Sequence, residues 1–133
     1  MGASFESADA VIHLDTSFLI RALLPGSPQR EQLRTWAGAN ETITMSSVAW
    51  TEFLCGPLDA RAASLAATLV DRRLDFTTEM AEVAVRLFNL TGRRRNSMTD
   101  CMIAAAAIAE DTAIATSNLR DFSRFEEHGL ALL

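Results

Sequence analysis

The sequence predicts an α/β fold with a mainly parallel sheet of four to five strands. Short apolar or β-branched runs alternate with longer helical patterns along the whole chain. The strand runs are apolar without alternation, as expected where both faces of a sheet are covered. The stretch Ser97–Phe122 concentrates the pattern, with an acid, an alanine-rich helix, a short strand and a polar turn in quick succession.

Val11-Ile-His-Leu14 reads as a buried strand tipped by Asp15, with Thr16-Ser17 and the helical run Phe18–Leu24 following at once. His13, inside that strand, reads as a packed core residue. Pro25–Pro28 breaks the helix, and Ser27 or its neighbour caps a second one running to about Ala37. Thr42–Met45 is the second strand, followed by Ser46-Ser47 and the helix Val48–Cys55, closed by Gly56-Pro57. Leu58 to about Arg73 and Thr78–Leu90 are amphipathic helices on either side of a short strand at Leu74–Thr77. Gly92 and Arg93-Arg94-Arg95 precede the alanine-rich helix, Thr112–Ala115 is the fourth strand, and Leu130–Leu133 reads as a last edge strand. Residues 1–10 are expected to be a flexible leader and 11–133 a single domain.

The chain has 133 residues, 49% of them hydrophobic, which is enough for one domain to build its own core. Cys55 and Cys101 show neither paired zinc-site spacing nor disulfide-scaffold density, so both read as buried free thiols in a reducing compartment. The N-terminus lacks a basic region followed by a signal-length apolar core, and no apolar run approaches the ~18 residues of a membrane span. The expectation is a soluble, cytoplasmic protein that does not enter a membrane. A net charge of −5 argues against a surface uniformly basic for nucleic acid, though not against a local patch. All 12 cationic side chains are arginine. The absence of lysine removes Walker A nucleotide binding, Schiff-base catalysis and the protein-kinase phosphate clamp.

Acids mark the strand ends and helix starts. Asp15 ends the first strand, Glu52 lies in the helix after the second, Asp100 stands at the front of the helix before the fourth, and Asp121 lies in the turn after it, near Asn118. Each has a structural reading beside a functional one. Asp15 and Asp121 suit helix capping, and Asp100 completes a capping box with Ser97. Glu52 lies beyond the first helical turn, between Trp50 and Phe53, where capping cannot use it and a charge among apolar neighbours needs another reason. Taken jointly, the acids are better explained as ligands of a hard divalent cation, because clustered carboxylates repel unless something positive holds them. Bound Mg²⁺ or Mn²⁺ suits phosphodiester hydrolysis. Ser17 and Thr116 read as groups that hydrogen-bond around such a site rather than as nucleophiles.

The segments around these acids, HLDTSFLI, SSVAWTEFLCG, TDCMIAAAA and TSNLRDF, resemble in order and spacing the PIN-domain ribonucleases, and in particular the VapC-type toxins of type II toxin–antitoxin pairs. The likeness runs from about Val11 to the C-terminus. It implies a three-layer α/β/α fold and a Mg²⁺- or Mn²⁺-dependent endoribonuclease in which Asp15, Glu52 and Asp100 are catalytic and metal-coordinating. Asn118 and Asp121 would complete the metal set. The family often has an acid where Asn118 aligns, and asparagine offers a carbonyl oxygen without charge. That implies one ion held firmly and a second only with RNA bound. The resemblance also implies a homodimer and inhibition by a VapB-like antitoxin. Arg93, Arg94 and Arg95, in the loop ahead of Asp100, are the candidate RNA-binding residues; the other reading places them as solvated cations suiting a helix C-terminus.

Two other readings share these residues. A weak or inactive PIN-like partner-docking module would use the acids structurally and dock through exposed Leu, Phe and Met. A haloacid-dehalogenase-like phosphatase would use Asp15 as nucleophile, but Ser17 stands where its second aspartate is expected, and its lysine is missing.

Overall fold

The structure, a computed structural model, describes residues 10–56 and 59–133. The expected leader falls almost wholly outside them, as do Pro57 and Leu58, expected respectively to close a helix and to begin the next. Ala10 already takes part in the sheet, its carbonyl accepting from the Thr42 amide at 2.9 Å.

Four strands form the sheet: β1 (Val11–Leu14), β2 (Thr42–Ser46), β3 (Arg72–Leu74) and β4 (Ala113–Ala115). Their order is β3-β2-β1-β4 and every pair is parallel, with His13 opposite Thr44 on one side and Ile114 on the other. Helices α1 (Thr16–Ala22) and α2 (Pro28–Gly38) connect β1 to β2, and α3 (Ser47–Cys55) and α4 (Ala60–Leu69) connect β2 to β3. Helices α5 (Thr78–Leu90) and α6 (Met98–Ala109) lead to β4, and α7 (Leu119–Phe122) runs into a 3₁₀ turn, Ser123–His128. This is the expected three-layer α/β/α arrangement. Parallel neighbours require crossovers, and the helices supply them.

The chain adds β2 and β3 on one side of β1 and then returns to place β4 on the other. Crossovers therefore diverge between β1 and β4, the switch point where open α/β sheets form their ligand crevice at the carboxyl ends of the strands. Asp15 follows β1 and Thr116 follows β4, and the Asp15 amide donates to the Ala115 carbonyl at 2.9 Å, closing the two strand ends together.

Helix α6 is the central element of the packing. Cys101 and Ile103–Ala107 are all buried, consistent with a helix apolar around its circumference. Its alanine methyl groups leave room for close approach by α5 and β4. Phe53, Phe122 and Phe125 supply the largest core side chains, the last two meeting edge-on at 5.8 Å.

Three expectations are corrected. The third strand is Arg72–Leu74, not Leu74–Thr77, because Thr77 is used to cap α5, its side chain accepting from the Met80 amide at 3.2 Å. The Asp71 carboxylate accepts from the Ile43 amide at 2.8 Å and locks the entry to β3 against β2. The last edge strand is reduced to one parallel bridge, Ile114 to Leu132, so the sheet has four strands. Of the two thiols, Cys101 is buried but Cys55 is exposed near the end of α3.

His13 is a core residue, 1% exposed, with Thr44 Oγ1 at 2.9 Å and Thr112 Oγ1 at 2.7 Å from Nδ1. Both Nδ1 contacts are to hydroxyls, which can donate or accept, while Nε2 has no hydrogen-bond partner among the described residues. Burial, with a smaller contribution from Arg72, pushes the imidazole down to about 4 from its ordinary 6.5. The folded state thus disfavours the cation. The stability that His13 supplies is complete above about pH 6.5 and is lost as pH falls towards 4. Relative to His13→Gln, the wild type is expected to lose on the order of 3 kcal/mol between pH 7 and pH 4 in urea-unfolding titrations. A gap between the two proteins that does not change with pH would contradict this.

Candidate functional site

Asp15 lies at the tip of β1, 4% exposed. Its backbone is extended ahead of α1 and its side chain makes no cap hydrogen bond, so the capping reading does not describe it. Instead Oδ2 accepts from Ser17 Oγ at 2.7 Å and from Thr116 Oγ1 at 2.8 Å. These two hydroxyls are themselves held, Ser17 Oγ by the Ser117 amide at 3.1 Å and Thr116 Oγ1 by the Asn118 amide at 2.9 Å. The β4 turn is thereby tied to the end of β1. Oδ1 of Asp15 accepts no hydrogen bond among the described residues.

Asp100 sits in the first turn of α6 and does not complete a capping box. Ser97 makes no side-chain cap; its hydroxyl donates to the Arg94 carbonyl at 2.7 Å. Asp100 is half-buried, and its carboxyl is pushed up to about 6 from 3.8. Burial is the main cause, Asp15 is next, Arg124 opposes both, and Asp121 and Glu52 add smaller upward contributions. Three carboxylates from other parts of the chain therefore act on this one.

Asp121 lies in α7, where its Oδ2 accepts from Asn118 Nδ2 at 2.8 Å. That bond commits the Asn118 amide nitrogen to Asp121 and leaves the carbonyl oxygen as its remaining donor atom. Glu52 corrects the reasoning that singled it out. It is on the exposed side of α3, while Phe53 behind it is 1% exposed and Leu54 beside it 49%. It therefore bears little burial cost. It lines an open surface cavity of about 480 Å³ with Val48, Thr51, Cys55, Thr99 and Met102, which places it across from the front of α6.

Arg93, Arg94 and Arg95 are all exposed in the turn between α5 and α6. Arg93 is already engaged, its guanidinium over the Phe88 ring at 5.0 Å and hydrogen-bonded to Asn89. None of the three forms an ion pair among the described residues. The cation the fold does bring to the acids is Arg124, absent from the sequence reading, with Nη2 at 3.9 Å from Asp100 Oδ2. Its signal was its place three residues after Asp121, one helical turn along, beside the DF segment.

The fit to a metal rests on donor chemistry. Asp15, Glu52, Asp100, Asn118 and Asp121 offer oxygen atoms alone, the preference of Mg²⁺ and Mn²⁺. Asp100's proton affinity is raised first by burial and then by the charges of Asp15, Asp121 and Glu52, and a cation nearby would offset the latter contributions. Among the described residues, no three Asp, Glu, His or Cys side chains stand together as a preformed metal cluster.

The sequence profile of the PIN domain matches residues 12–127. Several solved structures share the fold, among them the following. VapBC2 from Rickettsia felis, bound to a fragment of its promoter DNA, is 23% identical with a TM-score of 0.73, covering 92% of this chain and 97% of that one. DNA-bound VapBC from Salmonella typhimurium is 20% identical with a TM-score of 0.73, covering 93% and 97%. VapC20 from Mycobacterium tuberculosis, a toxin that cleaves the sarcin–ricin loop, is 22% identical with a TM-score of 0.62, covering 84% and 93%. No curated protein sequence matches the chain.

Proposed function

The chain belongs to the PIN domain family, and from that premise we propose that it is a VapC-type toxin, a Mg²⁺- or Mn²⁺-dependent endoribonuclease that hydrolyses RNA phosphodiester bonds. The observation that carries this is the PIN-domain match over residues 12–127, beside which the charges of Asp15, Asp121 and Glu52 act on a half-buried Asp100. Carboxylates on separate elements, near enough to raise the proton affinity of Asp100, would be stabilised by a cation they share.

Asp15, Glu52 and Asp100 would be the catalytic ligands, with Asn118 and Asp121 completing the shell. A bound divalent ion supplies charge neutralisation at the phosphate and a lowered pKa for water. In the hydrolysis, a water oxygen forms a new bond to phosphorus, one P–O ester bond breaks, and the departing oxygen takes a proton. The chain's own part is to hold the acids still. Ser17 and Thr116 fix one oxygen of Asp15 and leave the other free, while Asp121 orients the Asn118 carboxamide. Arg94 and Arg95, with their guanidinium groups unpaired among the described residues, and Arg93 over Phe88 would contact flanking RNA phosphates.

Inhibition by a VapB-like antitoxin is proposed from the fold shared with VapBC complexes, and homodimer formation from exposed apolar side chains such as Val85 and Leu90. No helix among the described residues is long and apolar enough to cross a membrane, in keeping with a toxin acting in the cytoplasm.

The test is incubation of purified, partner-free protein with a cellular RNA pool and Mg²⁺ or Mn²⁺. Cuts at a few discrete positions, abolished by EDTA and restored by excess metal, are the expected result. Intact RNA in the presence of folded protein and either metal would favour the partner-docking module instead.

A further inference from the structure

Arg124 lies in the 3₁₀ turn that follows α7. Its side chain is 16% exposed, and its guanidinium carbon stands 4.5 Å over the Phe125 ring. Both Nε and Nη2 are buried without a hydrogen-bond partner among the described residues. Nη2 is 3.9 Å from Asp100 Oδ2, close enough for attraction and too far for a hydrogen bond. Buried guanidinium donors left unpaired are costly. Asp100 does not meet that need in this arrangement.

An arriving anion would satisfy these donors. The planar fork of arginine matches the non-bridging oxygens of a phosphate and binds them by charge-assisted hydrogen bonds. We propose that Arg124 is a phosphate-binding residue of the site, its guanidinium turning out from its buried position to donate to a non-bridging oxygen of the RNA phosphodiester held beside Asp100. This rests on the ribonuclease reading and deepens it. The three arginines of the α5–α6 turn would contact the strand outside the site, whereas Arg124 would hold the phosphate next to the acids.

The position makes two opposite demands on one charge. Next to a carboxylate that would bind metal, a guanidinium weakens cation binding; next to a phosphate, it strengthens RNA binding. Removing it should therefore move the two affinities in opposite directions. A residue that merely braced the fold would weaken both.

The experiment uses the full chain as wild type, Arg124→Ala and Arg124→Lys. Binding of a fluorescein-labelled single-stranded RNA of mixed sequence is followed by anisotropy with Ca²⁺ in place of Mg²⁺, Mn²⁺ binding is measured by calorimetry, and cleavage is measured separately with Mg²⁺. Arg124→Ala is expected to weaken RNA binding about tenfold or more, to leave Mn²⁺ affinity equal or tighter, and to slow cleavage. Arg124→Lys, with charge but no fork, should bind Mn²⁺ as the wild type does and recover RNA binding only in part. Unchanged RNA binding in Arg124→Ala overturns the proposal, as does parallel loss of RNA and Mn²⁺ binding, or wild-type protein that binds no RNA. If Arg124→Ala does not fold, RNA binding by Arg124→Lys equal to that of wild type overturns it. Arg124-dependent RNA binding without wild-type cleavage would sustain the phosphate site while removing the ribonuclease reading.

Discussion

Asp100→Asn is expected to abolish RNA cleavage and to make the metal-free protein more stable. Asp100's favourable contribution is complete below about pH 3.8 and is lost as pH rises through about 6, so at neutral pH the folded protein carries an ionised group it disfavours. Asparagine keeps the shape and removes the charge. The full shift would correspond to about 3 kcal/mol. Partial solvent screening and loss of the Arg124 attraction reduce the expected gain to about 1–2 kcal/mol, or roughly 3–8 °C in Tm. Differential scanning calorimetry checks the sign, and its pH dependence checks the cause, since the gain should vanish near pH 4. Added Mn²⁺ should stabilise the wild type and leave Asp100→Asn nearly unmoved. A lower Tm for Asp100→Asn at pH 7 would show that Asp100 is a structural residue.

Asp15→Ala is expected to abolish cleavage too, with the opposite effect on stability. Asp15 is 4% exposed and receives hydrogen bonds from Ser17 and Thr116. Deleting the carboxylate leaves two hydroxyl donors without their acceptor next to the end of the sheet, a loss of about 2–3 kcal/mol. Relief of repulsion on Asp100 offsets part of it. Thermal unfolding of the two variants beside the wild type should therefore place Asp100→Asn above it and Asp15→Ala below. Both falling on the same side would show that the two acids are held by the fold in the same way.

That difference between the two acids was invisible in the sequence, although their places were not. Strand-end acids were legible because an apolar run followed at once by Asp15 and a helical pattern has few other readings, and the four β-strands emerged in the right order. The boundaries of β3 were misplaced because Arg72 and Arg73 lack an apolar signature, and their pairing depends on β2, which is remote in sequence. Glu52 was chosen for a reason the structure removes, since adjacency to Phe53 along a helix does not mean sharing its buried face. Arg124 was missed because a lone arginine in a polar tail has no periodicity to mark it; only the turn after α7 brings it back to Asp100. Leu130–Leu133 looked like a full strand, but the backbone pairs with β4 only around Ile114.

The buried alanine run of α6 has a consequence for how such a site can be controlled. Asp100 is mounted on the helix with the least freedom to open, since Ile103–Ala107 lose contact with the core only when the core itself comes apart. Amide hydrogens there are expected to belong to the most slowly exchanging class, released by global rather than local opening. An inhibitor that had to unfold this helix would have to unfold the core with it. One that acts on the proposed site would instead work as a plug, occupying the space in front of that support.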